Sequence, residues 1–417
     1  MAGGTTWVLW NDLLRAPLTL TTRLTLLAAL VMTPASTFLA TQAVDHAAAL
    51  LLLVLAWRGL HDLVQNERIW GGFVAGMLLG LTFYVGLCAL ACGLLCALAS
   101  PWAASTTEAT SPKERRKALL TRMVVIASPV LMALVSWAYL NLIFSGDPWR
   151  FLRDPISASL AYLNPDAPPM TGLVAALRGT GHELLRLPLY LLVGLIVALK
   201  ARKWLPLYLV PLVSVILLRA LGFHYPEALA LSACTAMALA ALSQWRSRRW
   251  GLLLAMVALL QVVMSIALPC RDGDLTRWHA LLGRGGPLVA DELEVAVAAH
   301  FRQATPHSIL ADDSTAYRLI ARAGTAHPFL LPGDATFELA MNAPAHYAKY
   351  ILMATPEANP AARFADIPLA EFSIEAIWPG WRLYRSVAAP PLLISAALYP
   401  HGTHSESAET RSRDLSP

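Results

Sequence analysis

The sequence predicts an α-helical polytopic membrane protein, with about nine transmembrane helices and a small C-terminal α/β domain on the exoplasmic side. Three observations predict it. Hydrophobic residues make up 57% of the chain and charged residues only 14%, against about 25% charged in ordinary soluble proteins. The deficit is confined to roughly the first 270 residues, where long apolar runs alternate with short basic loops. Beyond them the pattern changes to short apolar strands alternating with amphipathic stretches, and then to a polar tail. The expected organisation is therefore a multi-pass part over 1–269, an α/β exoplasmic domain over 270–392 and a disordered tail over 393–417.

Apolar runs near 24–42, 45–59, 69–82, 84–102, 123–144, 187–200, 204–222, 226–245 and 250–269 are the candidate spans. The third and fourth can also be read as one bent helix about Gly80 and Tyr84, which makes the count eight. The first run follows Arg15 and Arg23 and precedes no small-residue cleavage site, so it is an anchor and not a signal peptide. One set of loops carries Arg58 and Arg68, the KERRK run at 113–117, Lys200 to Lys203, and Arg246 to Arg249. The alternate loops carry fewer basic residues, among them Arg178, Arg186 and Arg219. The richer set belongs in the cytoplasm, which places the α/β domain outside whichever count holds, and the N-terminus inside with nine helices or outside with eight.

In that domain, 286–303 has helical spacing and SILADD (308–313) reads as a buried strand. A helix follows, with Ser314 as N-cap and Gly324 as C-cap. HPFLLP and AKYILMAT are further strands with helical FELAMN between them, and IEAIWPGWRLYRSV is a hairpin turning at Pro379-Gly380. Asp312 and Asp313, at a strand end, are read as helix-capping residues rather than ligands.

The net charge of +5 lies in topogenic loops, with no basic stripe interleaved with aromatics, so nucleic acid is no expected partner. Of five cysteines, Cys88, Cys92, Cys96 and Cys234 lie in apolar helices and Cys270 stands alone, so neither a disulfide framework nor a metal site is expected. Gly76 and Gly80 are a close-packing pair. No Walker loop, HExxH, GxSxG or dinucleotide fingerprint occurs.

Candidate chemistry is confined to polar residues expected at the non-cytoplasmic helix ends: Asp45 and His46; Asp147, Arg150, Arg153 and Asp154; His182 and Glu183; Arg219, His224, Tyr225 and Glu227. Asp45 and Asp147 are the acids considered for catalysis. Arg150, Arg153, Asp154, His182, His224 and Glu227 are the residues considered for substrate binding. Taken singly, each reads at least as well as a solvated or capping residue; only their convergence on one face suggests a site. An anionic phosphate at headgroup level is neutralised by Arg or His there. A carboxylate serves as base for an acceptor hydroxyl or as ligand to a divalent cation such as Mg or Mn. An amphipathic helix with Leu173, Val174 and Leu177 on one face is expected to lie at the membrane surface.

Several stretches resemble the GT-C superfamily of polytopic glycosyltransferases that use polyprenyl-phosphate-linked sugars. They are LVMTPASTFLATQAVDHAAALLLLVLAWRGL, ERIWGGFVAGMLLGLTFYVGL, SWAYLNLIFSGDPWRFL with its N-x-x-x-x-G-D-P-x-x-F pattern, and HYPEALALSACTAMALAAL. ILADDSTAYRLIARAG, HPFLLPGDATFELAMN, KYILM and GWRLYR are similar to a small exoplasmic domain that closes some members. The resemblance implies a bacterial inner-membrane protein that moves a sugar from a polyprenyl-phosphate donor to an exoplasmic acceptor. It covers most of 20–390 at the level of pattern. The acidic first exoplasmic loop that supplies the family's catalytic base has no counterpart here, so the resemblance assigns no catalytic residue; Asp45 matches a later acidic position. The alternatives it leaves are an N-terminally incomplete chain, or a non-catalytic scaffold with a membrane-protein partner. A transporter of a lipid-like substrate is a third reading, disfavoured because no internal repeat is seen.

Overall fold

The computed structural model describes residues 1–85, 87–103, 112–149, 169–221, 225–243, 250–268, 270, 275–276, 278–279, 289–354, 367–378 and 380–392. The chain divides into two compact units, Met1–Gly285 and Gly286–Pro417.

The first unit is helical. Its described helices are α1 (Ala2–Leu14), α2 (Leu20–Val31), α3 (Pro34–Thr41), α4 (Val44–Asn66), α5 (Ile69–Phe83), α6 (Leu87–Ala103), α7 (Pro112–Ser145), α8 (Pro169–Leu184), α9 (Pro188–Lys200), α10 (Leu205–Ala220), α11 (Glu227–Leu242) and α12 (Gly251–Ala267). Each of the nine apolar runs falls on one or two of these helices. By length and composition three of them can cross a membrane, over Asp45–Asn66, Arg116–Phe144 and Arg202–Ala220. Two bent pairs, α2 with α3 at 64° and α8 with α9 at 101°, raise the number to five. The remaining apolar helices are shorter. The 15 residues of α5 rise about 22 Å, less than the roughly 30 Å of a hydrocarbon core.

The core helix is α11. All its residues except Met237 and Ala241 are buried, as expected of a helix that is apolar all round. α7 is the opposite case. Met132, Val135, Tyr139, Ile143 and Phe144 are all exposed, a continuous apolar face that water would not tolerate and a bilayer would.

α5 and α6 fold back on one another. A Cβ on Gly93 would lie 3.3 Å from Leu79 Cβ, and these positions stand on either side of the turn at 84–85, so they form a hairpin and not one bent helix. Gly76 and Gly80 act as expected: added Cβ atoms there would stand 2.5 Å from the Ile126 carbonyl and 3.0 Å from the Pro129 carbonyl of α7. Leu275 and Trp278 pack within this unit: Leu275 is in its core, and Trp278 donates from Nε1 to Thr37 Oγ1 at 3.0 Å.

The second unit has a five-stranded sheet in the order β2-β1-β3-β5-β4. Its strands are β1 (Ile309–Ala311), β2 (Phe329–Leu330), β3 (Tyr350–Ala354), β4 (Phe372–Trp378) and β5 (Trp381–Ser386). β1 runs parallel to β2 and β3, whereas β5 is antiparallel to β3 and β4. The helices are α13 (Val289–Phe301), α14 (Asp313–Ala323), α15 (Phe337–Asn342) and α16 (Pro344–Tyr347). Ile309 and Ala311 pack with Phe301, Leu319 and Ala323 on one face. Leu310 packs with Phe337 and Ala340 on the other. β1 is therefore covered on both sides, which is why it reads as an unbroken apolar run. α14 starts two residues earlier than the Ser314 cap implies: the Asp312 carbonyl takes the first-turn N–H groups of Thr315 and Ala316, and Asp312 is 1% exposed. Gly324 ends α14 at φ +72° and Gly380 turns the hairpin at φ +84°, both in the left-handed region. The tail at 393–417 lies outside the described residues.

Candidate functional site

α8 ends at Leu184 and α9 begins at Pro188. Proline pushes the residue before it out of the α region, and Leu187 sits at φ −119°, ψ 47°. The chain therefore turns sharply there. Pro188 has no N–H, and the orphan N–H of Leu189 is met by Oε1 of buried Gln261 at 3.3 Å. Gln261 Nε2 in turn donates to Thr235 Oγ1 at 2.9 Å and to the Ala29 carbonyl at 3.4 Å. One amide thus ties α2, α9, α11 and α12 together at the bend.

The turn directs Arg186 inward, where it is 1% exposed. Its Nη1 donates to Oε1 of Glu227 and lies 3.6 Å from Cys270 Sγ. Glu227 opens α11 after Pro226, where the helix dipole favours a carboxylate. Arg219, in the last turn of α10, donates from Nη2 to Glu183 Oε1 at 2.7 Å and to the Tyr225 carbonyl at 3.3 Å. Its Nη1 lies 3.5 Å from Thr180 Oγ1. Two guanidinium groups and two carboxylates therefore meet where α8, α10 and α11 converge. Arg186 Nε and Nη2 are buried without a hydrogen-bond partner. Buried donors of this kind call for an acceptor, and the acceptor a guanidinium fork matches best is a phosphate or carboxylate.

Of the residues considered from sequence, Glu227 belongs to this cluster and His182 stands half-buried one position before Glu183. Asp45 and Asp147 are not brought into it. Asp45 is 55% exposed and lies 3.5 Å from His46 Nδ1. Asp147 Oδ1 accepts the Trp149 N–H at 2.9 Å, which makes it a turn-forming residue. Arg150, Arg153, Asp154 and His224 lie outside the described residues. Glu183, Arg219 and Tyr225, named from sequence among the polar residues at the helix ends, also belong to it; Arg186 was counted only as a loop charge and is buried. The available signal was an arginine set between two apolar runs and two residues before a proline, in ELLRLPLYLLV. Among the described residues, no group of three or more His, Cys, Asp or Glu is placed to hold a metal ion.

These features define a helical bundle with three to five candidate membrane spans among the described residues and a buried charge cluster, joined in sequence to a small α/β unit. No known protein family, no curated protein and no solved structure matches the chain.

Proposed function

We propose that the chain is a GT-C-like glycosyltransferase of the bacterial inner membrane, crossing it about nine times and moving a sugar from a polyprenyl-phosphate donor to an exoplasmic acceptor. The observation that carries this reading is the deeply buried Arg186 with two uncommitted N–H-bearing atoms beside Arg219. A donor phosphate would take those N–H groups, and its prenyl tail would lie in the bilayer. In the transfer, the acceptor hydroxyl oxygen bonds to the anomeric carbon and the carbon–oxygen bond to phosphate breaks. The hydroxyl proton passes to a carboxylate, and polyprenyl phosphate leaves with its charge held by the arginines. Asp45 and Asp147 remain the acids proposed for the proton. A divalent cation, if the reaction uses one, would stabilise the same leaving charge.

A second reading, a non-catalytic membrane subunit of envelope glycan assembly, draws on the pairing of both buried carboxylates with arginines, which leaves the cluster nearly neutral.

The purified chain in liposomes, given a labelled polyprenyl-phosphate-linked sugar and acceptor, is expected to release polyprenyl phosphate. Arg219→Gln is expected to slow that release about 10- to 100-fold, the worth of one charged hydrogen bond. Failure to bind the donor, together with co-purification of another membrane protein, would favour the second reading.

A further inference from the structure

A cavity of about 1270 Å³ opens at the other end of the first unit. It is bounded by α1, α4, α5, α9, α10 and α11, with Asp12, Arg58, Trp70, Lys200, Trp204 and Ser243 among the residues marking its rim. This end carries Arg58 in the last turns of α4, Arg68 between α4 and α5, and the basic run Lys200–Lys203, and lies opposite the Arg186 cluster along the helices.

The lining is graded by depth. Along α5 it runs from Arg68 to Leu78, ten residues or about 15 Å of rise. Arg15, Arg58, Arg68 and Lys200 are its cations, against Asp12 and Asp62 as its acids. Leu55, Val74, Leu78 and Ile196 form the far wall. Aromatic rings stand between: Trp57 and Trp204 are 5.9 Å apart, and His61 stacks on Trp204 at 5.6 Å. The rim is built and not incidental. Asp12, with a side chain 9% exposed, binds Arg58 through Nε and Nη2, the shorter contact being 2.6 Å. That bidentate pair leaves Arg58 Nη1 outside it. A surplus of cations over acids at the mouth, an aromatic collar and an apolar floor match an anionic headgroup followed by a hydrocarbon chain.

We infer that this cavity binds a phosphate-bearing lipid, with the phosphate among Arg58, Arg68 and Lys200 and the chain against Val74, Leu78 and Ile196. This site is independent of the Arg186 cluster and of the transfer reaction proposed for it.

The test is binding by the full chain in phosphatidylcholine nanodiscs, with and without phosphatidate, read by native mass spectrometry, alongside soluble glycerol phosphate. Phosphatidate is expected to stay bound to the wild type. Lys200→Gln, at an exposed rim position, is expected to weaken it about fivefold, the worth of one cation beside an anionic headgroup. Leu78→Trp, which fills the floor, is expected to abolish lipid binding while leaving glycerol phosphate binding as it was. Equal affinity for glycerol phosphate and phosphatidate would overturn the lipid assignment in favour of a free phosphate ester. Absence of phosphatidate binding to the wild type, or undiminished binding by both variants, would overturn the site.

Discussion

Replacing Glu227 with leucine is the perturbation with the most definite expected size. Its side chain and that of Arg186 are 3% and 2% exposed and face one another directly. Without Glu227 the guanidinium keeps only the weak acceptor Cys270 Sγ, since its Nε and Nη2 already lack partners. Stranding one member of a buried ion pair costs about 3 to 5 kcal/mol, or roughly 10² to 10⁴ in the folding equilibrium. Arg186→Met strands the carboxylate and is expected to cost a similar amount. The double variant Arg186→Met/Glu227→Leu removes both members of this ion pair together, and apolar replacements of similar volume are often neutral or better. The assay is a double-mutant cycle on unfolding of the purified protein in detergent. The expected result is a double variant more stable than either single variant. Additive losses would refute the reasoning, because they would mean that the two charges do not depend on each other for burial.

Other outcomes follow from packing and protonation. Gly76→Ala is expected to destabilise the bundle by about 1 to 3 kcal/mol, because its methyl meets the Ile126 carbonyl backbone. Gly181→Ala meets nothing within 4 Å and is expected to stabilise α8 by about 0.5 to 1 kcal/mol; thermal unfolding of the pair checks both signs. In the second unit, burial raises the Glu375 carboxyl above its ordinary value, while the Leu392 N–H and Arg385 work against the rise. A raised folded-state value means that the folded unit holds the proton more tightly. Its contribution is therefore full below the ordinary carboxylate range and is lost as pH rises through the raised value. Glu375→Gln is expected to remove that part of the pH dependence, measured as amide exchange of the Leu383 and Tyr384 strand amides across mildly acidic pH. Asp334→Ala removes the carboxylate that takes the Leu331 N–H at 2.7 Å and is expected to cost about 1 kcal/mol in the same measurement.

Long-period features were legible in the sequence and single-residue geometry was not. The apolar runs and the strand–helix alternation appear directly in composition, so α4, α7, α10 and the order of elements in the sheet unit could be read from it. α1 could not, because Ala2–Leu14 is short and carries Gly, Thr and Asp. Its buried positions Thr5, Val8, Leu9, Asp12 and Leu13 do follow helical spacing, but an acid on the buried side obscures that pattern until Arg58 supplies its partner. Arg186 was hidden for the same reason: a charge beside an apolar run looks topogenic until a partner 41 positions away is known. The start of α14 shifted by two residues because the Asp312 carbonyl engages the first turn. The hairpin of α5 and α6 needed the Gly93–Leu79 approach, which spacing alone does not fix.

The central proposal, which rests on the charge pattern of the sequence, is that the basic loops lie in the cytoplasm and residues 286–392 outside it. The direct test uses cysteines placed at exposed Lys113 and exposed Glu371, one at a time, in a background without Cys88 and Cys270; Cys92, Cys96 and Cys234 are buried. A membrane-impermeant maleimide applied to intact spheroplasts is expected to label position 371 at once and position 113 only after permeabilisation. Labelling of both positions from the same side would contradict the account.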